Sequence, residues 1–300
     1  MPDLRTRLAA LAITLMALSS VRPLLALDPS RAIAQYVHRS WTRADGLPQN
    51  SVSGIAQADD GYLWIATRDG LARFDGARFT TFNRLNTPAL RTNVFNSIVK
   101  APNGTLWMGT ANGLVQYDHG TFFTFSTKDG LPSNYVGTVV PDSSGGAWVG
   151  TGLGLARVLP GHPIRIALVE GTPARVVVAA HLLDRKGRLW FTADNSKLYR
   201  LVNGKCESMT VSEGPANETI SQMIEGPDGT IWLAGTTGLF QVKDDRIVLH
   251  KATPTSLLNV LIDSDGAIWA ALDGSGLARL KGDDWEFFAT KDGLPSDQAG

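Results

Sequence analysis

The chain of 300 residues holds 28 basic and 28 acidic side chains, 31 glycines, 15 prolines and eight tryptophans, and 43% of it is hydrophobic. A zero net charge gives it no general pull toward nucleic acid or an anionic membrane, and an apolar, turn-rich composition excludes a disordered or fibrous chain. The single cysteine, Cys206, excludes an intrachain disulfide and paired-cysteine metal or redox motifs, and reads as a small apolar filler in a strand.

In chain order, Arg5 and Arg7 come first, ahead of a 14-residue apolar run from Leu8 to Val21, then Ala26 and the acidic Asp28-Pro29. This is the layout of a secretory signal peptide, expected over residues 1–26, with Leu24 standing where a small residue is preferred. The run is shorter than the roughly 20 residues that cross a bilayer. Export to the periplasm or another extracytoplasmic compartment follows.

From there the chain repeats itself. "DGYLWIATRDGLARFDG" (60–76) returns as "NGTLWMGTANGLVQYDHG" (103–120), "GGAWVGTGLGLARV" (145–158), "KGRLWFTADNSKLYRLVNG" (186–204), "DGTIWLAGTTGLFQVKD" (228–244) and "DGAIWAALDGSGLARLKG" (265–282). The tryptophans Trp64, Trp107, Trp148, Trp190, Trp232 and Trp269 stand 43, 41, 42, 42 and 37 residues apart. Each copy splits into four short runs: an apolar one, one carrying the tryptophan, one opened by glycine and one aromatic. Asn-Gly and Asp-Gly turns separate the first two, so the runs read as antiparallel strands.

A four-stranded unit of this length cannot bury both faces alone, so successive units must stack. Radial stacking gives an all-β fold, a β-propeller whose blades span about 50–82, 92–126, 134–168, 174–209, 218–250 and 256–288. The tryptophan of each blade then serves as the structural core of the repeat, an apolar plate between neighbouring blades. "DGLP" begins at Asp45, Asp129 and Asp292, and the first two precede their blade tryptophan by 19 residues. The same interval from Asp292 reaches beyond residue 300. "HRSW" (38–41) meanwhile aligns with a fourth strand. The expectation is six complete blades plus parts of a seventh, namely residues 296–300 and a closing strand at 36–41, in an incomplete seven-bladed ring. The chain would then be the N-terminal part of a longer receptor.

The pattern "DGLPQNSVSGIAQADDGYLWIATRDGLARFDGARFTTF" (45–82), with the "YVHRSWTRADGLPQNSV" opening (36–52), resembles the two-component-regulator propeller repeat. That family forms the periplasmic sensor region of bacterial hybrid histidine kinases and related diguanylate cyclases. The resemblance covers residues 36–300 and implies a non-catalytic sensor propeller, whose membrane helix and kinase or cyclase output would lie in segments further along. Blade 4 departs from the pattern, with "ADNSKLY" (193–199) in place of the glycine-leucine. WD-repeat propellers are excluded, because the residue after each tryptophan is never aspartate.

No catalytic constellation emerges. His38, His119, His162, His181 and His250 are scattered singly without metal-ligand spacing, and neither a P-loop nor a G-x-S-x-G elbow occurs. No cofactor or metal is called for. Binding groups are expected on the loops at one end of the strands, where a rigid scaffold presents them. The candidates between second and third strands are Arg68, Asp69, Asn112, Asp194, Asn195, Thr236, Thr237 and Asp273. Those between blades are Gln49, Asn50, Arg91, Asn93, Asn134, Asn217 and Glu218. Such groups suit a polar small ligand or an oligosaccharide; a homodimer through the propeller is a further expected partner, and nucleic acid is not. Two other readings stay open: a propeller lyase or hydrolase with a channel site, for which His181 is the nominated histidine, and a structural interaction platform.

Overall fold

The computed structural model describes residues 39–159, 164–173, 175–194, 197–209, 218–263, 265–294 and 296–298. The expected signal peptide, His38, His162, Asn195 and Asn217 lie outside them. The described chain forms six four-stranded antiparallel sheets, each taking its strands in sequence order. Blade 1 is β1 (Val52–Gln57), β2 (Leu63–Thr67), β3 (Gly70–Phe74) and β4 (Phe79–Phe82), and blade 2 is β5 (Phe95–Lys100), β6 (Leu106–Thr110), β7 (Gly113–Asp118) and β8 (Thr121–Phe125). Blade 3 is β9 (Val136–Pro141), β10 (Ala147–Thr151), β11 (Gly154–Leu159) and β12 (Arg165–Leu168), and blade 4 is β13 (Val178–Leu183), β14 (Leu189–Ala193), β15 (Lys197–Val202) and β16 (Lys205–Met209). Blade 5 is β17 (Ile220–Glu225), β18 (Ile231–Gly235), β19 (Gly238–Lys243) and β20 (Arg246–Ala252), and blade 6 is β21 (Leu257–Ile262), β22 (Ile268–Leu272), β23 (Gly276–Lys281) and β24 (Asp284–Phe288). The first strands β1, β5, β9, β13, β17 and β21 pack on one another in series, which makes the array a β-propeller.

Blades adhere through the tryptophans. Trp64 packs with Phe95, Ile98, Leu106 and Met108 of blade 2, with Tyr117 at 4.6 Å between ring centroids. Trp107 joins Val136, Val139 and Val149 of blade 3, and Trp190 joins Ile220, Met223 and Leu233 of blade 5. All three are fully buried. Trp148 and Trp232 do the same against blades 4 and 6 and are half-buried. Trp269 stacks on Phe288 of its own blade, at 5.5 Å. The residue nine before the tryptophan faces the preceding blade: Ile98, Val139, Met223 and Val260 are buried there, whereas Ile55 of blade 1 is 59% exposed.

Polar bonds add to the seams. Five of the six first strands carry a β-bulge at the residue eleven before the tryptophan, which re-aims that side chain. From this place Ser53 Oγ donates to Phe95 O at 2.7 Å, Asn96 Nδ2 to Val136 O at 2.8 Å and Ser221 Oγ to Leu257 O at 2.6 Å, each bridging to the next first strand. In blade 4 the bulge falls two residues later, at His181. Blade 4 was irregular in sequence, and its register is what differs.

The "DGLP" segments are short 3-10 turns, Arg43–Asp45, Thr127–Asp129 and Thr290–Asp292, each closed by a left-handed glycine. Residues 39–42 carry no strand pairing here, and Trp41 packs edge-on against Phe74 at 5.0 Å.

Candidate functional site

With the strands alternating in direction, the loops between second and third strands and those between blades share one end of the sheets, the rim. The first kind is built by a threonine in blades 1 to 3. Thr67, Thr110 and Thr151 each donate Oγ1 to the carbonyl of the glycine three residues on, at 2.6 to 2.7 Å. Each also accepts from a loop N–H, that of Asp69, Asn112 or Leu153, at 3.2 Å. Gly113 shows why glycine ends such a loop: its φ is +124°, and a Cβ there would stand 2.5 Å from Phe125 O.

Blade 5 closes its loop differently. Gly235 replaces the threonine, and Glu218, almost fully buried, accepts from Thr236 Oγ1 (2.7 Å), Thr237 N (2.9 Å) and Thr237 Oγ1 (2.8 Å). Buried carboxylates are tolerated when their oxygens are satisfied in this way. Thr237 and Glu218, both read as binding groups in the sequence, are bonded to each other.

Other candidates are also committed to the backbone. Asn50 Oδ1 accepts from Arg43 N at 2.9 Å and Asn134 Oδ1 from Thr127 N at 2.9 Å, holding the 3-10 turns. Gln49 Oε1 accepts from Arg68 N (3.1 Å) and Asn93 Oδ1 from Arg84 N (3.1 Å). Asn112 Nδ2 reaches Arg91 O at 3.5 Å. Asp273, exposed, donates its backbone N–H to Ser256 O at 3.0 Å, and Asp194 takes a left-handed φ of +52°. Left projecting from the rim with no ion pair among the described residues are the exposed Arg43, Arg68, Arg84 and Arg91, beside Asp69.

His181 sits on the innermost strand of blade 4, half-buried, with Nε2 at 2.9 Å from Thr192 Oγ1. Burial lowers its pKa to about 4, so it is neutral at pH 7. Among the described residues, no group of three His, Cys, Asp or Glu side chains converges as a metal site.

The opposite end of the sheets holds a feature the sequence reading missed. A cleft of about 480 Å³ opens between blades 5 and 6, lined by Trp232, His250, Ile268, Arg279 and Leu280, with Asp265 and Asp283 at its edge. Trp232 and His250 meet edge to face at 4.8 Å. Its signal was readable: in blades 3, 4 and 6 an aspartate six before the tryptophan and an arginine paired with it flank the indole, and blade 5 has Gly226 and Gln241 instead. The flanking groups are tightly bound where present. Arg157 pairs with Asp142 and lies 4.4 Å over Trp148, and Asp184 accepts from Trp190 Nε1 at 2.9 Å and Arg188 Nε at 2.6 Å.

Comparison with known proteins places this architecture. Residues 46–69, 89–112 and 130–152 match the model of the two component regulator propeller. Histidine kinase P4 of Formosa agariphila is 40% identical over 70 residues, 23% of this chain and 5% of that protein. The extracellular domain assigned to the hybrid two component system BT3049 of B. thetaiotaomicron aligns with a TM-score of 0.72 at 20% identity, over 87% of this chain and 38% of that one. Virginiamycin B lyase of Staphylococcus aureus aligns with a TM-score of 0.64 at 16% identity, over 79% of this chain and 83% of the lyase. The chain thus spans a small part of the kinase and under half of the BT3049 domain, and at these identities the solved structures speak for the fold. The matched segments fall one each in blades 1, 2 and 3, so three of the six sheets of this β-propeller match the two component regulator propeller repeat.

Proposed function

We propose that this propeller is the extracytoplasmic sensing part of a two-component-type signalling receptor and that it binds its ligand or partner at the rim without catalysing a reaction. The observation that carries the reading is the match of three blades to the two component regulator propeller, a repeat whose structural likeness here includes an extracellular domain of a hybrid two component system. The basic signal-like N-terminus supports the location. A ligand would act by favouring one arrangement of the propeller or of paired propellers, a bias that segments outside this chain would pass on.

The rim supports binding through rigidity. Its loops are held by side-chain bonds to backbone, so a ligand meets groups already in place and less ordering opposes binding. The lyase alternative has a fold likeness behind it, but His181, its nominated histidine, is bonded to Thr192. The test is thermal unfolding and association state of the purified chain against a panel of neutral and acidic oligosaccharides and candidate partner domains. A shift of several degrees or a change of association state with one member supports sensing. An unchanged profile with every member, together with turnover of any of them, would transfer the propeller to the enzymes.

A further inference from the structure

We propose that the cleft between blades 5 and 6, at the end of the sheets opposite the rim, binds a small ligand that carries an alkylguanidinium group. This site is separate from the rim and goes beyond the sensing reading above. Its template stands one seam earlier. There the Arg200 guanidinium lies 5.6 Å over the Trp190 ring and spans the seam, bound to Glu207 of its own blade at 2.7 Å and to Asp245, on the β19–β20 turn of blade 5, at 2.5 Å. Trp190 pairs with Arg200 across β14 and β15, and at the same place in blade 5 Trp232 pairs with Gln241. Val248 stands where Glu207 stands in blade 4, and Asp283 takes in blade 6 the turn position of Asp245. The seam between blades 5 and 6 therefore keeps the indole and the far carboxylate and lacks the guanidinium that joins them.

What is left is the space of about 480 Å³, enough for a small ligand. Trp232 stays half-buried, whereas Trp107, which also faces a glutamine, Gln116, is fully buried by its neighbours. Strand β20 carries an extra residue opposite Leu239 and Phe240, and His250 falls at that bulge. Phe82 and Phe288 stack nearly flat on Trp64 and Trp269, but His250 stands edge-on to Trp232, at 83°. Ile268 and Leu280 give the cleft an apolar wall for an alkyl chain. Charge favours a cation. Arg279 is taken up at the next indole, 5.3 Å over Trp269 and 4.0 Å from Asp263, and Asp284 holds Lys251 at 2.9 Å. That leaves Asp265 and Asp283, without an ion pair among the described residues, against the single ammonium of Lys281. A guanidinium joins a flat face for the indole to a fork of donors for a carboxylate, a combination that an ammonium lacks.

The experiment follows the indole N–H signals of the isotope-labelled full chain by NMR, with Trp232 identified through Trp232→Phe, during titration with butylguanidinium, butylammonium and the neutral, similarly shaped butylurea. Gln241→Arg supplies the chain's own guanidinium, Asp283→Asn removes the far carboxylate, and Asp244→Asn, on the blade 5 turn, is the control with equal charge loss. The expected result is a saturable shift of Trp232 with butylguanidinium, tighter than with butylammonium and absent with butylurea. Affinity should fall about tenfold or more in Gln241→Arg and about three- to fivefold in Asp283→Asn, and change less than about twofold in Asp244→Asn. Butylurea binding as tightly as butylguanidinium would make the cleft an apolar groove and overturn the inference. So would unchanged affinity in a folded Gln241→Arg, equal losses in Asp283→Asn and Asp244→Asn, or no saturable shift of Trp232 up to about 10 mM butylguanidinium. If Gln241→Arg does not fold, the comparison of Asp283→Asn with Asp244→Asn decides. Each of these results leaves the sensing reading at the rim standing.

Discussion

Trp190 and Trp107 occupy the same place in blades 4 and 2, both with no exposed surface, and differ in one hydrogen bond and in the Arg188 and Arg200 guanidinium groups 5.3 and 5.6 Å over the Trp190 ring, a face contact that phenylalanine keeps in large part. Trp190 Nε1 donates to Asp184 Oδ2 at 2.9 Å, whereas Trp107 Nε1 is buried with no hydrogen-bond partner among the described residues, since Ala101 stands where the aspartate would be. Replacing each by phenylalanine removes a similar amount of apolar surface and leaves a similar gap, so those costs cancel in the difference. What remains is a hydrogen bond to a charged, buried acceptor, worth about 1.5–3 kcal/mol. The Asp184 carboxyl is also informative: burial would raise its pKa, but bonds from Trp190 and Arg188 outweigh this and hold it below the usual carboxylate range. In blade 2 the same exchange removes an unsatisfied donor, which offsets part of the cavity cost. Urea unfolding followed by far-UV circular dichroism, which does not depend on the replaced fluorophore, should therefore show Trp190→Phe as less stable than Trp107→Phe by about 1.5–3 kcal/mol. Equal losses, within about 0.5 kcal/mol, would show that the indole bond does not contribute to the seam.

Three further outcomes follow from other parts of the chain. His181 has a folded pKa near 4 against 6.5 unfolded, so the unfolded chain binds more protons between those values and stability falls as pH drops through that window. At pH 5 the loss relative to pH 7 from this group is about 2 kcal/mol, and His181→Gln should flatten that part of the profile measured by urea titration. Gly235→Ala would push a methyl into the Glu218 carboxylate and the Phe240 ring, so a lowered melting temperature and an earlier proteolytic cut near the 236–237 loop are expected; wild-type behaviour would mean that Glu218 does not hold the loop. Asn134→Ala removes the acceptor for Thr127 N and should cost about 1 kcal/mol in unfolding without altering ligand response, while a selective loss of binding would return Asn134 to the ligand site.

The period of Trp64 to Trp269, the Asp-Gly turns and the length of each run identify four-stranded blades from the sequence alone, because strand alternation and tight turns are local properties of the chain. The stacking role is legible for the same reason in five of the six tryptophans, which join the next blade because units of this size cannot bury themselves, whereas Trp269 stacks within its own blade. The rim was legible as a place and only partly as chemistry. Asn50 and Asn134 look identical in sequence to free binding amides, and only the approach of Arg43 N and Thr127 N shows that their oxygens are taken. Glu218 reads as a surface acid until Gly235 makes room for it to fold under Thr236 and Thr237. The shift of the blade 4 bulge to His181, the Trp232 cleft and the set of rim arginines without an ion pair among the described residues were decided by tertiary structure, since each depends on contacts between separate strands and loops. Local physics sets what each strand and turn can be; which side chains are left over to meet a ligand is settled only when the blades close against one another.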